Sequence, residues 1–143
     1  LARARAHEWM NFISSSLHAA YRSVFRPQSY GGDRPEVVEA VRAQGHERLA
    51  RALQTVERRL GDTPYALGEA FSAVDAYLFV FYLWSFDERL SGEMPPRPRY
   101  RALAQRVWQR GAVRRVVARE RGVRAYELPA EMAGADAPLA DLA

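Results

Sequence analysis

Gly68-Glu69-Ala70-Phe71-Ser72-Ala73-Val74-Asp75-Ala76-Tyr77-Leu78-Phe79-Val80-Phe81-Tyr82-Leu83-Trp84 decides how the rest of the chain is read. Ser72 and Asp75 stand three apart at the head of an apolar run, the spacing of a capping box. In that motif the hydroxyl accepts from the Asp75 N–H while the carboxylate reaches back to the Ser72 N–H. The Asp75 charge also opposes the positive end of the helix dipole. Phe71 holds the staple position, but its partner would be Ala76, which makes the staple weak. From Ala76 to Trp84 no side chain is charged, so this segment belongs at the centre of the fold. Periodicity does not separate a buried helix from a buried strand in so short a run; the capping box decides for a helix over about 72–84. A membrane span needs ~20 apolar residues, and Asp75, Asp87 and Glu88 bracket this run too closely for one.

Upstream, Gly61 is placed to stop a long helix at its C-terminus. Its start is read at Asp33 as N-cap, with Pro35 in the first turn and Glu36 at N3. The inward stripe is Val38, Val41, Leu49, Leu53, Val56 and Leu60, with Gly45-His46 as an expected soft spot. A first helix is expected from about Ala4 to Phe25, where Trp9, Phe12, Ile13, Leu17, Ala20, Tyr21 and Val24 recur at three and four. Ser14, Ser15 and Ser16 are modest helix formers in its middle and mark a closely packed face or one that meets polar groups. Pro27 ends it. Downstream, Pro95-Pro96-Arg97-Pro98 is a stiff connection, followed by a helix over 100–110 with Tyr100, Leu103, Ala104, Val107 and Trp108 inward. Gly111 separates it from a short helix that ends near Gly122. No strand is signalled, and the fold class is all-α.

Composition narrows the chemistry. With no cysteine, disulfides, thiolate-bound zinc or iron–sulfur and thiol catalysis by this chain are excluded. No His-x-x-x-His pair or acidic cluster suggests a metal. All 21 basic residues are arginine, and ten of them fall between Arg97 and Arg124 against the single acid Glu120. Such a run invites a nucleic-acid reading, but a solvated helical face in an arginine-biased sequence accounts for it more simply, and nucleic acid is not an expected partner. Residues 127–143 are small, acidic and interrupted by Pro129 and Pro138, a composition expected to be loosely ordered. The amino end has neither an initiator Met nor a signal-peptide core, which reads as a chain whose upstream part is missing.

Gly68-x-x-Phe71-Ser72-x-x-Asp75-Ala76-Tyr77 resembles the start of the central helix in the C-terminal helical domain of cytosolic glutathione transferases. Leu17-His18-Ala19-Ala20-Tyr21, Val24-Phe25-Arg26-Pro27, Ala76-Tyr77-Leu78-Phe79 with Trp84, and the ending from Tyr100 to Val113 are similar to the bacterial beta class. The resemblance spans roughly residues 6–122 and implies a helical domain over 1–126 packed around a buried central helix. It implies a partner that this chain lacks, a thioredoxin-like N-terminal domain that binds glutathione and carries the residue beside its thiol. It also implies a cytoplasmic, homodimeric detoxification enzyme of bacterial type, with no membrane association, which joins glutathione to a hydrophobic electrophile; this piece alone would be inactive. His18 matches the histidine near the glutathione thiol. Tyr21, Tyr77 and Trp84 match the electrophile pocket, with core packing an equal reading for Tyr77, and Ser72 and Asp75 are structural. Ala19 stands where the family often has Lys. The family's helical domains also serve as non-catalytic docking modules, the alternative that Ala19 and the arginine-rich end leave open.

Overall fold

The computed structural model describes residues 2–90, 94–121 and 132, and in these the chain is a set of helices around one core. Helices α1 (Ala2–Phe12) and α2 (His18–Phe25) are joined without a break by a π-turn at Ile13–Leu17. They are followed by the short α3 (Gln28–Gly31), the long α4 (Pro35–Leu60), α5 (Ala73–Trp84), α6 (Pro98–Trp108) and α7 (Gly111–Arg121). Among the described residues, extended pairing is limited to one isolated bridge between Tyr65 and Gly68. The expectation for the tail over 127–143 lies outside the described residues, apart from Met132. That residue is buried, and its carbonyl accepts from Trp108 Nε1–H at 3.1 Å.

The expected central helix is the one observed. Val74, Leu78, Phe79, Phe81 and Tyr82 of α5 are buried, with α1 and α2 against one side and α6 against another. Two tyrosines tie the surrounding layers to its backbone. Tyr21 of α2 donates its phenol to the Phe81 carbonyl at 2.7 Å, and Tyr100 of α6 donates to the Leu78 carbonyl. Both phenols are removed from water, and burial pushes their proton affinity well above the ordinary value, so each stays a neutral donor.

The start of α5 shows the capping box with both halves present. Asp75 Oδ2 accepts from the Ser72 N–H at 2.7 Å and from the Ser72 hydroxyl at 2.8 Å. Its other oxygen, Oδ1, accepts from the Ala66 N–H at 2.7 Å, a contact nine residues back that the spacing did not suggest. Asp75 is completely buried, and these bonds supply the partners a buried carboxylate requires. The carboxylate therefore fixes the loop from Ala66 to Ser72 as well as the helix.

Two readings of the long helix need adjusting. The N-cap of α4 is Arg34, not Asp33, in extended conformation and without a side-chain cap bond. Pro35 occupies the first helical turn, where its missing N–H costs nothing, and that fixes the boundary one residue later. Gly45 is not a soft spot: it is buried within continuous α4, where a Cβ would lie 2.9 Å from Ser23 Cβ and 3.1 Å from the Ser23 backbone. It is a point of close approach between α2 and α4. Gly61 does stop the helix, at φ +58. Near that end Glu57 does a task no local pattern announced, accepting from the Arg99 N–H at 2.9 Å and the Tyr100 N–H at 3.0 Å. It caps the first turn of α6 from another helix, leaving fewer orphan donors there.

The serine run forms the π-turn. The His18 N–H donates to the Ile13 carbonyl, five residues back, and the Ser14 and Ser15 hydroxyls both donate to the Asn11 carbonyl, at 3.1 and 2.7 Å. These side chains supply local donors where the α-helical ladder is interrupted. His18 is the first residue beyond the turn.

Candidate functional site at the end of α2 and α5

Where α2 runs past the last turn of α5, a cluster of rings forms a concave wall. His18 lies with its ring centroid 5.6 Å from Phe81 and 5.8 Å from Trp84. Phe81 and Trp84 meet edge to face at 4.9 Å, and Phe25 closes the far side at 5.8 Å from Trp84. Such tilted and edge-on contacts suit the ring quadrupoles. His18, Arg22, Phe25, Arg26 and Trp84 line an open cavity of about 360 Å³. His18 is exposed to it, so its imidazole is available to a ligand.

Of the residues singled out from the sequence, His18 and Trp84 share this cavity. Tyr77 stands one turn below, half-buried, with its ring 5.3 Å from Phe81, and does not line it. Tyr21 has no exposed surface at all. Its ring stacks on Phe81 at 5.5 Å and meets Trp84 edge to face at 5.8 Å, so it supports the wall from behind. Ser72 and Asp75 lie at the opposite end of α5 and hold the fold. Phe25 and Arg22 lie on the same face as His18 at spacings of seven and four, so helical periodicity from His18 reaches both.

The rim is basic. Arg22 is oriented by its Nε donating to Ser29 Oγ at 3.3 Å and by Tyr30, whose ring centre is 5.7 Å away. Arg89 lies over the Phe25 ring at 4.1 Å and is held there by Asp87 through two bonds of 2.6 Å. The guanidinium bonded to Asp87 holds that carboxyl below its usual range. Among the described residues no carboxylate pairs with Arg22 or Arg26.

The arginines of the C-terminal run behave differently. Arg97 donates to Ser85 Oγ at 2.8 Å, Arg99 pairs with Asp62 at 3.1 Å, Arg106 donates to the Pro64 carbonyl at 3.3 Å, and Arg110 covers Phe71 at 3.9 Å. These side chains bind the chain to itself, which favours the structural reading over nucleic-acid contact. Among the described residues no group of three or more His, Asp or Glu could hold a metal ion, and no helix is long and apolar enough to cross a membrane.

A capped, buried α5 flanked by α1, α2 and α6, with an imidazole and aromatic rings opening beside its last turn, defines a helical domain of glutathione transferase type. The comparisons agree. Residues 39–105 match the family profile described as the glutathione S-transferase C-terminal domain. Glutathione S-transferase GstA of Escherichia coli O157:H7 is 35% identical over 94 residues, which cover 65% of this chain and 42% of that protein. Glutathione S-transferase U19 of Arabidopsis thaliana is 35% identical over 82 residues, covering 57% of this chain and 33% of that one. Among solved structures, a glutathione transferase homologue from Sulfitobacter with bound glutathione aligns with a TM-score of 0.73 at 27% identity, over 83% of this chain and 56% of the other. BphK, a bacterial glutathione transferase solved as a ternary complex, aligns with a TM-score of 0.61 at 35% identity, over 79% and 52%. The chain carries a glutathione S-transferase C-terminal domain, and it spans less than half the length of the curated relatives it matches.

Proposed function

We propose that this chain is the helical half of a glutathione transferase most like the bacterial beta class, which conjugates glutathione to electrophilic substrates in the cytoplasm. It acts joined to a thioredoxin-like N-terminal domain, as a homodimer, and is inactive alone. The observation that carries this reading is the exposed His18 imidazole set against Phe81 and Trp84 at the mouth of the aromatic cavity. An imidazole can donate to a thiolate sulfur and favour it over the thiol, and an apolar electrophile needs a concave aromatic surface next to that sulfur. The reaction is a displacement: the thiolate forms a C–S bond to the electrophilic carbon, and the leaving group departs with the bonding pair.

Trp84 is proposed as pocket wall, Tyr21 as the ring that stiffens it, and Tyr77 as a residue at its base. Support comes from the glutathione bound in the Sulfitobacter homologue's structure and from the names of the sequence relatives. The test is retention on glutathione-agarose and turnover of chlorodinitrobenzene by the full-length protein, with His18→Ala alongside. The expected outcome is retention and turnover in the parent and a drop in kcat/KM of tenfold or more in the variant, about 1.4 kcal/mol of lost transition-state stabilisation. Full-length protein that neither binds glutathione nor turns over would leave the domain as a docking module.

A further inference from the structure

We infer that the electrophile this site prefers carries an anionic group, such as a carboxylate on an aromatic ring, and that Arg26, with Arg22, recognises it. This rests on the transferase reading for the presence of a thiolate, but not for the binding chemistry. His18 and Arg22 stand four apart on one face of α2, and Arg26, which caps the helix in a non-helical conformation, follows four residues later. At 1.5 Å rise per residue the Cα atom of Arg22 lies about 6 Å along α2 from that of His18, and Arg26 stands beyond the last turn and lines the same cavity. Trp84 and Phe25 occupy the intervening wall, with ring centroids 5.8 Å apart. An aromatic ring laid on that wall, with its reactive carbon toward His18, therefore directs its far substituent at the two guanidiniums.

The charge of the rim makes the choice. Arg22 and Arg26 both line the cavity, and among the described residues neither has a carboxylate partner. The nearby acid Asp87 is occupied by Arg89 at 2.6 Å. Arg22 is already oriented by Ser29 and Tyr30, so less ordering is required when an anion arrives. A planar guanidinium fork matches a carboxylate and stacks on an aromatic ring, which a neutral aryl halide exploits only in part.

The test compares naphthoate with naphthamide, equal in shape and different in charge, by quenching of tryptophan fluorescence in the full-length protein. Chloronitrobenzoate and chlorodinitrobenzene serve as the matching substrate pair. The expected result is naphthoate bound about tenfold tighter than naphthamide at low salt, the scale of one charge-assisted hydrogen bond. Arg26→Gln abolishes that preference. Arg22→Gln reduces it, and added salt erodes it in the parent. Equal affinities in the parent, or a preference untouched in both variants, would overturn the inference. So would loss of the preference on saturation with S-methylglutathione, since the arginines would then be holding the peptide. A naphthoate preference without glutathione retention would sink the transferase reading alone and leave an anion-selective aromatic pocket.

Discussion

The two ends of α5 are built on opposite terms. At its start the one buried charge is matched: Asp75 is completely buried and bonded to Ser72 and Ala66. At its end Trp84 is only half-buried, the imidazole of His18 is exposed, and Arg22 and Arg26, which have no carboxylate partner among the described residues, face a cavity. The first end is closed to ligands and rigid. The second holds unused bonding capacity, which is what a binding site requires. Substitutions at the start should therefore be read in stability, and substitutions at the end in binding.

The largest effect expected is from Asp75→Ala. It leaves the buried Ala66 N–H and the partly buried Ser72 N–H without their partner, at a cost of ~1–3 kcal/mol for a buried group left unsatisfied. A loss of about 3 kcal/mol, seen as a lower urea midpoint, is expected; a loss below about 1 kcal/mol would show that water repairs the cap. Gly45→Ala comes next. The added methyl meets Ser23 Cβ at 2.9 Å, and overpacking of ~1–3 kcal/mol outweighs the helix-propensity gain of ~1 kcal/mol. A stabilised variant would mean that α2 and α4 can part at no cost.

Glu57→Ala removes the acceptor for two N–H groups of α6 and should cost about 1 kcal/mol, measurable by thermal melting. It sharpens the comparison because its effect should leave ligand binding at the far end intact. Smallest in stability is His18→Ala, expected within ~0.5 kcal/mol of the parent because the side chain is exposed. A large loss there would make His18 part of the packing and blur the distinction between the two ends.

The fold was more legible than the site, for a physical reason. Ser72, Asp75, Gly61, Pro27 and the stripes of α4 and α6 act through neighbours within a few residues, and local spacing records them. The Ala66 bond to Asp75 and the Glu57 cap on α6 join positions 9 and 42–43 apart, so no local pattern contains them. The boundary at Arg34 was missed because Asp33 is the better capping residue by composition while Pro35 fixes the geometry. His18 and Trp84 are on different helices, and their meeting is a property of packing. The family resemblance linked them; residue spacing alone did not. The same resemblance suggested Tyr21 as a pocket surface, where its burial and its bond to the Phe81 carbonyl make it a support behind the wall.

The π-turn at Ile13–Leu17 bears on what insertions and deletions this lineage can accept. A π-turn is equivalent to an α-helix that has taken in one extra residue and absorbed it as a local widening. In an ordinary helix, gaining or losing one residue swings everything beyond it by about 100°. Here, dropping one serine from Ser14-Ser15-Ser16 would close the widened turn into a regular one and leave Trp9 and Ile13 on one side, and Tyr21 and Val24 on the other, facing the same core. The reading frame of side chains that aims His18 at Trp84 would survive a change of length at this triplet, whereas losing Ala19, beyond the turn, would swing the rest of α2 by about 100° relative to His18 and carry Arg22 and Phe25 away from it.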